Sequence, residues 1–154
     1  NKKVCISYKS TLNIFNYLCN TKPKKQKCNE PRCKTCNILI VGTYIDLPNR
    51  PNFYPNNFLN CKSNNIVYCL ICNKCSKIYI GQTTLPFRKR ITLHRQHSNN
   101  LEYTILFCNK HFNSCALGFK AIPLFQLKDF TLSKLNFIEH FFITFLKPEL
   151  NCSL

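Results

Sequence analysis

Ile66-Val67-Tyr68-Cys69-Leu70-Ile71-Cys72-Asn73-Lys74-Cys75-Ser76-Lys77-Ile78-Tyr79-Ile80-Gly81 is the stretch on which the fold turns. Its first six residues are an apolar, β-rich run, Cys72 to Ser76 reads as a turn, and Lys77 to Gly81 reads as a returning strand, so a hairpin is expected. Downstream, Pro86 is tolerated in the first turn of a helix and Thr84 suits an N-cap, which predicts a helix from Phe87 to about His97, ended by Asn99-Asn100. Phe119 to Leu127 reads as a third strand, at an edge or with a bulge because Pro123 has no N–H to donate. Thr131 to Leu146 reads as a second long helix, rich in Phe and Ile and stopped by Pro148. Shorter helices are expected at Leu12 to Leu18 and at Leu101 to His111. The expected class is α+β, a small antiparallel sheet flanked by helices.

The 154 residues carry 22 Lys+Arg against 6 Asp+Glu, a formal charge of +16. Such a surplus repels itself unless a polyanion neutralises it, and nucleic acid is the commonest polyanion. The basic residues cluster at Lys22–Lys27, Arg32–Lys34 and Arg88–Arg95, the first of these reading as a flexible arm or a solvated linker. With 45% hydrophobic residues the chain is not a disordered one. No stretch approaches 18 uninterrupted apolar residues, and no basic helix has a wholly apolar opposite face, so no membrane partner is expected. The sequence has no Met, which suggests a piece of a longer polypeptide or a processed one.

Twelve cysteines imply either metal sites or a disulfide scaffold. Cys33-x2-Cys36 and Cys72-x2-Cys75 have the spacing that lets two sulfurs of one turn grip a zinc ion, and a disulfide closing so short a loop would be unusual. Cys28, Cys33 and Cys36, joined by Cys61 after 24 residues, make one four-cysteine zinc set. The excursion between them has too little apolar material to fold alone, and a structural zinc contributes on the order of 10 kcal/mol to such a module. A second zinc is expected on Cys72, Cys75, His111 and Cys115, with Cys69 and His97 as competing ligands. Cys5, Cys19, Cys108 and Cys152 have no partner pattern and are read as small buried hydrophobes. The chain thus divides into a basic connector (1–27), a zinc-binding module (28–64) and an α+β unit (65–154).

The polar residues on this framework suggest chemistry. Tyr68 and Tyr79 lie on neighbouring strands, and Arg90 and His94, four apart, share a helix face. Glu139 sits in the most apolar helix, where a buried acid needs a cation, either a metal ion or Arg90; otherwise it faces water. Phenols, a guanidinium and an acid suit phosphodiester cleavage: the acid holds a hard divalent ion, the ion and Arg90 offset charge on the phosphate, and a tyrosine serves as base. The other readings are strand packing for the tyrosines and a solvated face for Arg90 and His94.

These residues resemble the GIY-YIG nucleases. Tyr79-Ile80-Gly81 is the second half of that motif, and Ile66-Val67-Tyr68 looks like the first half with Ile66 in place of glycine, ten residues separating the two tyrosines. The closer resemblance is to the endonuclease domain of Penelope-like retroelements, which places a C-x2-C between the half-motifs, has an upstream Arg-Cys-Lys-Thr-Cys segment like Arg32 to Cys36, and has a His-Phe pair like His111-Phe112. Ser76 replaces a glycine common in that subgroup, and Cys115 stands where histidine is more usual. The resemblance implies a nuclear enzyme that nicks target DNA so that an upstream reverse transcriptase in the same polypeptide can extend the freed 3′ end along element RNA. It implies Tyr68 as base with Tyr79 in support, Arg90 and His94 at the scissile phosphate, Glu139 on Mg²⁺ or Mn²⁺, and Asn151 as the terminal polar residue of the site. Arg88, Lys89, Arg95 and His97 would bind flanking phosphates, with both zinc ions structural. The competing expectation is a zinc-stabilised nucleic-acid-binding module without catalysis.

Overall fold

The computed structural model describes residues 27–28, 30–40, 46–47, 50, 59–99 and 118–151. The helices expected at Leu12–Leu18 and Leu101–His111 lie outside them, as do Cys5, Cys19, Cys108 and Cys152. β1 (Ile66–Cys72) and β2 (Ile78–Thr83) form an antiparallel hairpin, followed by α1 (Phe87–Asn99), β3 (Phe119–Gln126) and α2 (Leu132–Leu146). β3 pairs antiparallel with the other side of β1, so the sheet runs β2-β1-β3.

β1 takes the centre because it is apolar on both faces, and all seven of its residues are buried. Side chains alternate across a strand. Ile66, Tyr68, Leu70 and Cys72 therefore face one layer, made by Phe87 and Ile91 of α1 with Cys36, Leu39, Leu59 and Cys61. Val67, Cys69 and Ile71 face the other layer, made by α2 with Ile78 and Ile80. On α2 the inward stripe is Leu135, Ile138, Phe142 and Leu146, spaced three or four apart as a helix requires. Phe142 is fully buried, which contributes about 2–3 kcal/mol. Thr131 caps this helix by accepting from Lys134 N at 3.3 Å, and Lys147 ends it at φ 45°, just before Pro148.

The start of α1 differs from expectation. Pro86, not Thr84, is the N-cap: its carbonyl accepts from Lys89 N and Arg90 N. The next two N–H groups have no partner inside the helix. They donate instead to the cysteine-rich segment, Phe87 N to Ser63 O and Arg88 N to Cys61 O, each at 2.8 Å. Backbone supplied by tertiary contact does here what a capping side chain was expected to do.

Both sheet edges are covered, which removes open templates for pairing. Along β3, Ala121 N donates to Ile38 O (2.9 Å) and Ile40 N to Ala121 O (3.0 Å). Pro123 occupies this edge strand, and the β1–β3 register shifts beside it, between Val67 and Tyr68. Along β2, Leu150 N donates to Ile78 O, Ile78 N to Glu149 Oε2, and Ile80 N to Asn151 Oδ1. Arg50 ties this tail down, donating to Leu146 O and Lys147 O and pairing with Glu149 at 2.7 Å. Among the described residues no helix is long and apolar enough to cross a membrane.

Candidate active site and metal centre

Tyr68 is central to the polar site. Its ring is fully buried between Phe87, Tyr79 and His94, with the Phe87 ring centroid 5.5 Å away. Its hydroxyl lies 2.7 Å from His94 Nε2 and accepts from Arg90 Nε at 3.0 Å. Gly81 stands opposite Tyr68 across the hairpin. A Cβ at Gly81 would lie 2.7 Å from the Tyr68 hydroxyl and 2.7 Å from a ring carbon of Tyr79, so only glycine leaves room for both phenols. The hairpin register thus packs Tyr68 over a glycine.

α1 presents Arg90 and His94 to this phenol. His94 is buried, only 1% exposed. Burial works against the charge of Arg90, but Tyr68 and Tyr79, both hydrogen-bonded to it, raise its pKa above the ordinary value. Burial likewise raises the pKa of the Tyr68 phenol, and neighbouring Tyr79 adds to this while Arg90 opposes it. Tyr68 therefore rests protonated.

Glu139 approaches from α2, half-buried. Burial raises its carboxyl pKa, opposed by a hydrogen bond with Gln82 and by the charge of Arg90. Its charge also reaches Tyr68. Tyr68, Tyr79, Arg90 and His94 are thus brought together from three elements, and Glu139 of α2 is near enough for its charge to act on Tyr68 and Arg90. Asn151 is placed differently: Oδ1 accepts from Ile80 N and Nδ2 donates to Ile80 O, both at 2.8 Å, so its amide is engaged with the backbone of β2.

Gln82 was missed in the sequence, although a polar residue following Ile78 and Ile80 on the α2 face of a strand was a usable signal. Its Nε2 donates to Asn136 Oδ1, and its Oε1 is buried with no hydrogen-bond partner. An orphaned amide oxygen thus belongs to the same side chain that hydrogen-bonds the Glu139 carboxylate.

The first cysteine set converges. The sulfurs of Cys28, Cys33, Cys36 and Cys61 all lie within 4.8 Å of one another, with Cys28–Cys36 at 3.4 Å and Cys36–Cys61 at 3.3 Å. These separations exceed a disulfide bond of about 2.05 Å. They approach the roughly 3.8 Å edge of a tetrahedron whose corners lie about 2.3 Å from one ion. A 3-10 turn at Lys34–Asn37 follows Cys33 and brings Cys36 back toward it, Cys36 N donating to Cys33 O. Burial and the Cys36 sulfur push the Cys61 thiol up. Burial acts the same way on Cys33, but the Cys36 N–H and neighbouring thiols hold it down to about 7. Four cysteines so placed can hold a zinc ion.

The second set is only partly within the described residues. Cys72 ends β1, buried, and Cys75 is exposed in the turn, while His111 and Cys115 lie outside the described residues. Cys69 is corrected as a competing ligand: three positions from Cys72 in a strand, it lies on the opposite sheet face. Ser76 has φ 58°, the left-handed region that favours glycine. All seven described cysteines are free of disulfides. Of the expected phosphate ligands, Arg88, Lys89 and Arg95 line one surface of α1; His97 lies in its last turn, with its side chain outside the described residues.

No protein-family profile, curated protein or solved structure matches this chain.

Proposed function

We propose that this chain is a divalent-metal-dependent DNA endonuclease of GIY-YIG type that nicks target DNA to prime reverse transcription of a Penelope-like retroelement. The observation that carries the reading is the meeting of Tyr68, Arg90 and His94 at 2.7 and 3.0 Å, with Glu139 half-buried beside them on a strongly basic chain. A core tyrosine needs no guanidinium and imidazole on the same hydroxyl; a proton-transfer centre does.

Arg90 Nε–H donates to the Tyr68 oxygen, so the phenol proton is directed to His94 Nε2 and His94 keeps its own proton on Nδ1. When water attacks phosphorus and the P–O3′ bond breaks, the water proton passes to the Tyr68 oxygen as the phenol proton passes to His94, and the departing 3′ oxygen takes a proton from solvent. Arg90 then faces the charge gathering on the phosphate oxygens. Glu139, with Gln82 Oε1, would hold the divalent ion, which supplies charge stabilisation at the phosphate. Asn151 is a positioning residue that holds β2, and with it Tyr79, in place. Arg88, Lys89 and Arg95 bind flanking phosphates. Zinc on the four-cysteine set is structural, as is a second zinc on Cys72, Cys75, His111 and Cys115. Element RNA and an upstream reverse transcriptase in the same nuclear polypeptide are the expected partners.

Nicking of supercoiled plasmid by the zinc-loaded chain tests the reading. Nicking is expected to require Mg²⁺ or Mn²⁺, to vanish in Glu139→Ala, and to fall about 10²–10⁴-fold in Tyr68→Phe and Arg90→Ala. Unchanged nicking in Glu139→Ala removes that residue from the metal role. A folded, zinc-loaded protein that binds DNA and never cuts it favours the non-catalytic binding module.

A further inference from the structure

α1 has a second working surface. Arg88 and Arg95, seven residues apart, lie on one side of the helix, turned away from the side that carries Arg90 and His94. Against that side stands the zinc-cluster segment, and between them lies a cleft of about 530 Å³. Arg88, Lys89 and Arg95 form one wall, and Glu30, Arg32 and Lys34 belong to the other. The walls are pinned at two points: Arg88 pairs with Glu30, and Arg95 donates to Lys34 O at 3.2 Å. Glu30 is also paired with Lys62 at 2.9 Å, so two cations already offset its charge. The cleft therefore has a built shape and a strong positive excess, with no other acid among its lining residues.

We propose that this cleft grips the sugar-phosphate backbone of duplex DNA, with Arg32 and Lys34 of the zinc-cluster segment as contacts that face Arg88, Lys89 and Arg95. The inference rests on the DNA-directed reading above and adds a role for the four-cysteine set: Cys33 and Cys36 flank Lys34, so the metal cluster fixes one wall of the binding surface. From Arg88 to Arg95 the helix rises about 10 Å, which matches about three nucleotide steps of one strand measured along the duplex axis at about 3.4 Å each. Duplex DNA is favoured over single-stranded RNA because the cleft is lined by cations and has no aromatic side chain on which an unpaired base could stack.

The test is fluorescence anisotropy of a labelled 30-base-pair duplex as a function of salt, using the zinc-loaded chain. Arg32→Ala/Lys34→Ala is expected to weaken binding about tenfold or more at low salt and to reduce the log–log salt slope by about 2. Lys128→Ala, an exposed cation outside the cleft, is the control expected to leave both unchanged. Arg32 and Lys34 are exposed, and unaltered zinc content with an unaltered far-ultraviolet spectrum certifies the fold of the double variant. Equal affinity and equal slope for wild type and double variant overturn the proposal, as does a loss confined to single-stranded RNA. Because the readout is binding, it stands apart from catalysis: a chain that never nicks DNA yet shows the slope change defeats the endonuclease reading and leaves the cleft assignment standing.

Discussion

Gly81 shows how much of the site one missing methyl controls. Tyr68 and Tyr79 both occupy the space a Cβ would take, and neither is a flexible chain end. Gly81→Ala is expected to cost about 1–3 kcal/mol of stability, the usual cost of overpacking, and to lower nicking about 10²-fold as the Tyr68 hydroxyl shifts from Arg90 and His94. Urea denaturation and plasmid nicking read the two effects. Glu139 makes the opposite trade. Burial raises its folded pKa above the ordinary 4.5, so the group favours folding most in acid and loses that contribution as pH rises through the folded value. At pH 7 the charge is a burden on the fold. Glu139→Gln is therefore expected to raise Tm at pH 7 while abolishing metal-dependent nicking, and the Tm gap should close as the pH falls below 4.5. A Tm that drops at pH 7 would show that Arg90 depends on this carboxylate more than burial penalises it.

The hairpin and the two helices were legible because each has its own period. β1 is continuously apolar, β2 buries Ile78 and Ile80 on either side of a partly exposed Tyr79, and α2 repeats every three or four residues. The devices that fasten these elements were not legible, because they join residues far apart in sequence. The tail at 149–151 edges β2 through an asparagine amide and a glutamate, and α1 begins on carbonyls from Cys61 and Ser63. No local pattern announces such bonds. Asn151→Ala leaves Ile80 N and O without their partners and is expected to cost about 1–3 kcal/mol in urea denaturation, with nicking reduced through displacement of Tyr79. Rescue of both by Asn151→Gln is not expected, since the longer side chain overshoots the pair of bonds. Lost nicking at full stability would instead move Asn151 to the reacting phosphate.

The four-cysteine set affects more of the molecule than its own loop. Cys61 O holds the first turn of α1, and Ile38 to Ile40 hold the outer edge of β3. Removing the ion should therefore loosen the helix that carries Arg90 and His94. A structural zinc contributes on the order of 10 kcal/mol, so a strong chelator is expected to lower Tm sharply and to stop nicking even with Mg²⁺ in excess. The thiols of Cys61 and Cys28 are pushed up, while Cys33 is held down to about 7. Zinc must displace protons from the first two, so loading at pH 7 should release at least two protons per ion and weaken as pH falls. Calorimetry in buffers of different ionisation enthalpy measures the release.

The hairpin, the two helices and the four-cysteine set were written in spacing. Cysteines in a tight turn, tyrosines on paired strands and an arginine four before a histidine are short-range facts, and short-range geometry follows from helix and strand periods alone. Position was not written there. That Gln82 stands beside Glu139, that Asn151 binds backbone, and that Arg32 faces Lys89 across a cleft all depend on how separate elements pack. Packing is settled by the burial of whole faces and the pairing of distant backbone groups, and those energies belong to no single stretch of chain.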